Sequence, residues 1–146
     1  MVTSVTAEDA AESITPLERG KIRRDVLATA RGGMNAWLDD DLEAMPQYFG
    51  AEYLDEFKKQ ATTYADEGKI RVRSHSEIVS NVTKIASSGK QALVEYNFTD
   101  DSYFTDTNGK VLSEPDHQKT VFQLTLELTD SDWRVVRIIG RSDSLK

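Results

Sequence analysis

The apolar residues of this chain recur at two different periods, and the switch between them constrains the fold more than any other feature. Before residue 68 they return every three or four positions; from Lys69 onward they alternate. Ile22, Val26, Ala30, Met34 and Leu38 repeat at intervals of four, and Leu27 and Trp37 widen that stripe. Thr15-Pro16-Leu17-Glu18 opens it with an N-cap, a proline at the first helical position and a glutamate three residues on. Gly32-Gly33 falls inside the stripe, where each glycine costs up to about 1 kcal/mol relative to alanine. Met34 and Trp37 keep the phase, so close packing by another segment is expected there rather than a bend. Asp39-Asp40-Asp41 ends this helix, and Leu42 to Tyr48 reads as a short second helix or a turn around Pro46. A third helix runs from Ala51 to Glu67, with Leu54, Phe57, Ala61 and Tyr64 on one face and Gly68 as its stop.

The second half reads as strands. Lys69 to Arg73 alternates and places Lys69, Arg71, Arg73 and His75 on one face of an edge strand. Glu77 to Ser87 is less regular, with Ile78, Val82 and Ile85 expected inside. After a turn at Ser88-Gly89-Lys90, Ala92, Val94, Tyr96 and Phe98 share one face, and Gln91, Glu95, Asn97 and Thr99 share the other. Asn108-Gly109 marks a hairpin. In the strand Gln118 to Thr129, Phe122, Leu124, Leu126 and Leu128 point inward; a turn then leads to a last strand, Trp133 to Gly140. Simple alternation puts Arg134 and Arg137 on opposite faces of that strand. The expectation is an α+β chain with a flexible lead-in over residues 1–14 and a single domain over 15–146.

Composition narrows the function classes. Eighteen Lys and Arg against 25 Asp and Glu leave a net charge of -7, which disfavours binding to a phosphate backbone, so no nucleic-acid partner is expected. The absence of cysteine removes disulfides, thiolate metal sites and a cysteine nucleophile. No apolar run reaches the ~18 residues of a membrane span, and the first ten residues lack the basic and apolar regions of a signal peptide. A soluble segment without direct membrane insertion is expected. It would be cytoplasmic if the chain is whole, and extracytoplasmic if it is a piece of a membrane-anchored protein. The triplets Asn81-Val82-Thr83 and Asn97-Phe98-Thr99 fit glycosylation acceptors, but both fall within expected strands and are read as chance.

Helix, short helix, helix, then a curved sheet whose final hairpin ends in Trp133-Arg134-Val135-Val136: this order resembles the nuclear-transport-factor-2-like (cystatin-like cone) superfamily. The resemblance covers roughly residues 16–141 and is carried by Ala36-Trp37-Leu38-Asp39-Asp40-Asp41-Leu42-Glu43-Ala44-Met45, by Gly89 to Phe98 and by Trp133 to Ile138. It implies N-terminal helices packed on a curved mixed or antiparallel sheet, with a pocket between the helices and the concave face. The superfamily includes isomerases, dehydratases, epoxide hydrolases and cyclases beside non-catalytic binding modules, so the fold alone does not choose a function.

An enzyme of this type needs an acid, a base or both inside the cone. The inward strand positions offer only Tyr96 and Asp100 on one strand and Gln118 and Thr120 on another, with no carboxylate paired to an arginine by spacing. No catalytic residue, metal ligand or cofactor is therefore assigned. Ligand-binding candidates are Tyr48, Tyr96, Gln118 and Thr120, for a small hydrophobic ligand. His75 and His117 are read as surface or rim residues, because neither has a second histidine at ligand spacing. Asp106 to Gly109 is a turn rather than a calcium loop, since the closing glutamate position falls on Pro115. Lys69, Arg71 and Arg73, near Lys58 and Lys59, form a basic patch that suits an acidic protein partner or self-association. The outer sheet face, with Glu95, Asn97, Lys119, Gln123, Thr125 and Glu127 around Val121, argues for a monomer or a weak dimer. The leading expectation is a non-catalytic binding or assembly module, an accessory domain of a larger or membrane-associated complex. The alternative is an enzyme of the isomerase, dehydratase or cyclase type using the cone pocket.

Overall fold

A computed structural model describes residues 14–115 and 117–144. Residues 1–13 of the expected lead-in, and Asp116 beside His117, lie outside the described residues, while Ile14, assigned to the lead-in, packs against the core. Two helices, α1 (Pro16–Leu38) and α2 (Ala51–Asp66), flank a 3-10 turn at Met45–Gln47. Six strands follow: β1 (Lys69–Val72), β2 (His75–Ile85), β3 (Gln91–Asp100), β4 (Tyr103–Asp106), β5 (Gln118–Thr129) and β6 (Asp132–Ser144). The helices pack on a four-stranded antiparallel sheet ordered β2-β3-β5-β6, and β1 pairs with β4 in a separate two-stranded ribbon. The described strands do not close into a barrel.

The helix signals act as their chemistry dictates. The Glu18 N–H donates to Thr15 Oγ1 and the Thr15 N–H donates to Glu18 Oε1, each at 3.1 Å, which completes a capping box. Val26, Ala30 and Met34 bury the α1 stripe against Val94, Tyr96, Leu124, Leu126 and Val135 of the sheet. The double glycine is a contact, not a bend. A Cβ on Gly32 would lie 2.4 Å from the Tyr48 ring, and one on Gly33 would lie 3.1 Å from Phe49 Cζ. The segment after the 3-10 turn therefore presses directly on the α1 backbone. It also reaches the sheet: the Val135 N–H donates to Tyr48 O at 2.6 Å, and the Gly50 N–H donates to Val135 O at 2.9 Å. This forms an isolated parallel bridge, Phe49 to Val135, at the β6 edge. All pairings between named strands are antiparallel.

Two departures from simple alternation share one cause. β2 carries irregularities between Ser76 and Val79 and between Val82 and Lys84, and β6 carries one opposite Thr125 and Leu126. An extra residue at a bulge shifts every later side chain to the opposite face. Ile78, expected inside, is consequently 45% exposed, while Ile85 is buried as expected. Arg134 pairs with Glu127 and Arg137 with Thr125, so both arginines lie on the outer face rather than on opposite ones. On β5 the alternation holds: Leu124 and Leu126 are buried, and Phe122 and Leu128 are partly buried.

Candidate functional site

α2 follows from an amphipathic pattern, yet among the described residues it contributes no fully buried side chain. It lies over the sheet as a loosely seated cover, and beneath it is a cavity of about 220 Å³. Five aromatic residues line the cavity: Trp37 from α1, Phe49 from the turn, Tyr53 and Phe57 from α2, and Phe122 from β5. Phe49 and Phe57 meet edge to face at 5.0 Å, Tyr53 stacks on Phe57 at 5.9 Å, and Trp37 lies 6.0 Å from Phe122. Met34 and Ile138 complete the apolar wall, and Glu56 and Gln60 of α2 are the polar groups on the lining. Tyr53 is held in place by its hydroxyl, which accepts the Ile138 N–H at 2.5 Å.

Behind Trp37 the environment turns polar. The Arg73 guanidinium lies 4.8 Å from the Trp37 ring centroid, donates to Trp37 O at 3.4 Å and pairs with Asp40. His75 stacks on Phe98 at 3.8 Å and lies 5.5 Å from Trp37. It stands opposite Asp100 across β2 and β3. Both His75 ring nitrogens and Trp37 Nε1 are buried, without hydrogen-bond partners among the described residues. Burial holds the His75 imidazole down at about 4; Asp100 opposes that effect, and Arg73 and Arg71 add to it. His75, expected at the surface or the rim, is half-buried, with its ring nitrogens covered because the face it shares with Arg73 turns toward Trp37. His117 is exposed, as expected; its Nδ1 lies 2.9 Å from Asp101 Oδ1. Hydrogen bonds from His117 and Ser76 hold the Asp101 carboxyl below its ordinary value.

The residues singled out from the sequence disperse. Tyr96 is buried between His75 and Phe98, and burial pushes its phenol up to about 12. It opens on a cavity of about 450 Å³ between α1 and β2, beside Arg31, whose Nε donates to Ser80 Oγ at 2.9 Å. Thr120 is buried and lines a groove of about 400 Å³ with Thr99 and Lys119. Gln118 pairs with Asp100 at the end of β5, and Tyr48 packs on Gly32. None of these four lines the aromatic cavity. Lys69, Arg71 and Arg73 line one pocket of about 190 Å³ with Asp40 and Tyr64, but they differ in exposure. Lys69 and Arg71 lie 5.1 and 4.7 Å from the Phe104 ring centroid, whereas the Arg73 side chain is 8% exposed and turned inward. Arg73 therefore forms the buried end of that pocket, with Lys69 and Arg71 nearer its exposed side. The aromatic cavity itself was missed, although Phe49, Tyr53 and Phe57 recur at intervals of four.

Fold and site together define an α+β domain whose second helix covers an aromatic cavity on a four-stranded antiparallel sheet. The intermembrane-space region of the chloroplast protein ARC6 is similar in structure, with a TM-score of 0.57 and 14% identity over 81% of this chain and 96% of that one. A de novo designed β-sheet protein matches with a TM-score of 0.47 and 16% identity, over 87% of this chain and 94% of its own. No protein-family model and no curated protein matches the chain. The first likeness shows a shared fold. Among the described residues, no helix is long and apolar enough to cross a membrane, and no group of three or more His, Asp or Glu is placed to hold a metal ion.

Proposed function

We propose that this chain is a non-catalytic binding module of the nuclear-transport-factor-2-like cone type, serving as an accessory domain of a larger or membrane-associated complex. The aromatic cavity carries the binding half of this reading: five rings enclose it, and its polar lining is one carboxylate and one amide with no acid–base pair. The order helix, turn, helix, sheet and the cavity beneath α2 support the cone assignment. The accessory role is supported by the ARC6 likeness, since that structure is itself an intermembrane-space region of an organelle protein.

The test uses benzyl alcohol, a neutral probe small enough for the cavity. Binding should perturb the Trp37 indole N–H resonance and leave that of Trp133, which packs in the core elsewhere, unchanged. Gln60→Trp, which plugs the rim without altering the core, should abolish the effect, and the probe should be recovered unaltered. An equal response in Gln60→Trp would refute the cavity as the binding site.

One observation favours a second reading, an isomerase, dehydratase or cyclase type of enzyme: the half-buried His75 stands opposite Asp100 across β2 and β3, although the Asp100 carboxylate accepts from Ser102. Such a site would exchange the α-proton of a bound small ketone with solvent deuterium, and His75→Phe would stop it.

A further inference from the structure

The cavity carries an electrostatic signature in addition to its apolar one. Glu56 contributes to the lining, and none of the ion pairs among the described residues uses it. Glu52 precedes it by one helical turn on the same face of α2, adding a second negative charge along that stripe. Arg73 lies beside Trp37 and pairs with Asp40, and Lys59 stands exposed three residues after Glu56 on α2. A cavity walled by Trp, Tyr and Phe rings, with the exposed carboxylate of Glu56 at its mouth, suits a cationic guest. Aromatic faces carry negative quadrupole density and attract cations, most strongly where water is excluded.

Resting on the binding-module reading above, we infer that this cavity takes a small organic ammonium ion, with its alkyl groups among the rings and its charge near Glu56. The size agrees. A volume of 220 Å³ holds roughly seven waters, which suits a trimethylammonium group with a short tail. An anionic or strongly hydrated guest would meet the carboxylate and lose its hydration without replacement.

Choline and its neutral isostere 3,3-dimethyl-1-butanol have the same shape and differ in charge. Each is titrated at millimolar concentration into the intact chain while the two indole N–H resonances are followed. Choline should shift the Trp37 signal with an affinity about tenfold above that of the alcohol. Glu56→Gln should remove most of that preference and leave the weak alcohol binding unchanged. Equal affinity for the two probes, or a preference unaltered in Glu56→Gln, overturns the cation inference while the apolar cavity stands. A silent Trp37 with both probes, together with no benzyl alcohol binding, overturns both. Co-sedimentation with phosphatidylcholine vesicles separates the sources: capture by vesicles without binding of free choline would assign the site to a lipid surface and refute a small-molecule guest.

Discussion

His75 makes the stability of this fold depend on acid in a way that one substitution should remove. Its imidazole stacks on Phe98, lies beside Trp37, and has no hydrogen-bond partner for either nitrogen among the described residues. Burial lowers its pKa from 6.5 to about 4, with Arg73 and Arg71 acting in the same direction and Asp100 against it. Above pH 6.5 the ring is neutral in both the folded and unfolded chains and contributes no pH dependence. As pH falls below 6.5 the unfolded chain takes up a proton that the folded chain refuses, so stability declines until the folded ring also protonates near pH 4. A displacement of this size is worth at most about 3.4 kcal/mol, and the solvent access that remains to the ring reduces the expected loss to about 2 kcal/mol. The assay is urea unfolding of the parent and of His75→Phe from pH 7.5 to pH 4. Phenylalanine keeps the stack and has no nitrogen to desolvate, so the two should agree within about 1 kcal/mol at pH 7.5. The variant should then gain about 2 kcal/mol on the parent by pH 4. Asp101 and Glu18, whose pKa values the fold lowers, remain in both proteins and cancel in the difference. A parallel decline of parent and variant, or a His75 ring that titrates near 6.5 by NMR, would refute the argument.

Three further outcomes follow from the packing. Thr15→Ala removes the capping box from α1 and should lower the unfolding free energy by about 1 kcal/mol in a urea titration. Gly33→Leu drives a side chain into the Phe49 and Tyr48 contact, and a loss of about 2 kcal/mol is expected, visible as a lower melting temperature. Arg73→Glu places a second carboxylate beside Asp40 and should lower the melting temperature markedly.

The regular parts of the fold were legible because local chemistry and burial agree there. The α1 stripe, the capping box and the inward faces of β3 and β5 follow from periodicity, and the structure keeps them. The bulges were not legible: nothing in Ser76 to Val79 or in Arg134 to Arg137 announces an extra residue, and each shift inverts the faces that follow. Strand β4 escaped notice because Tyr103–Asp106 is short and pairs with the distant β1. The cavity was only half visible. Trp37, Phe57 and Phe122 each looked like ordinary core residues, and the space between them depends on how shallowly α2 sits, which is a tertiary property. His75 illustrates the same limit. Alternation placed it on one strand face with Arg71 and Arg73, but the strand breaks after Val72 and His75 opens β2 in the other sheet, where it meets Trp37.

The bridge between Phe49 and Val135 bears on how this domain meets its neighbours. By occupying the backbone groups of Val135, the segment Tyr48 to Gly50 interrupts the free margin of β6. At the opposite margin, β2 is twice irregular, the Arg23 guanidinium donates to Val82 O, and Arg31 reaches Ser80. A sheet so guarded on both sides is a poor template for an incoming strand. Strand addition is therefore obstructed at Val135 and at Val82, which leaves the side-chain surfaces and the space beneath the second helix as the less hindered approaches.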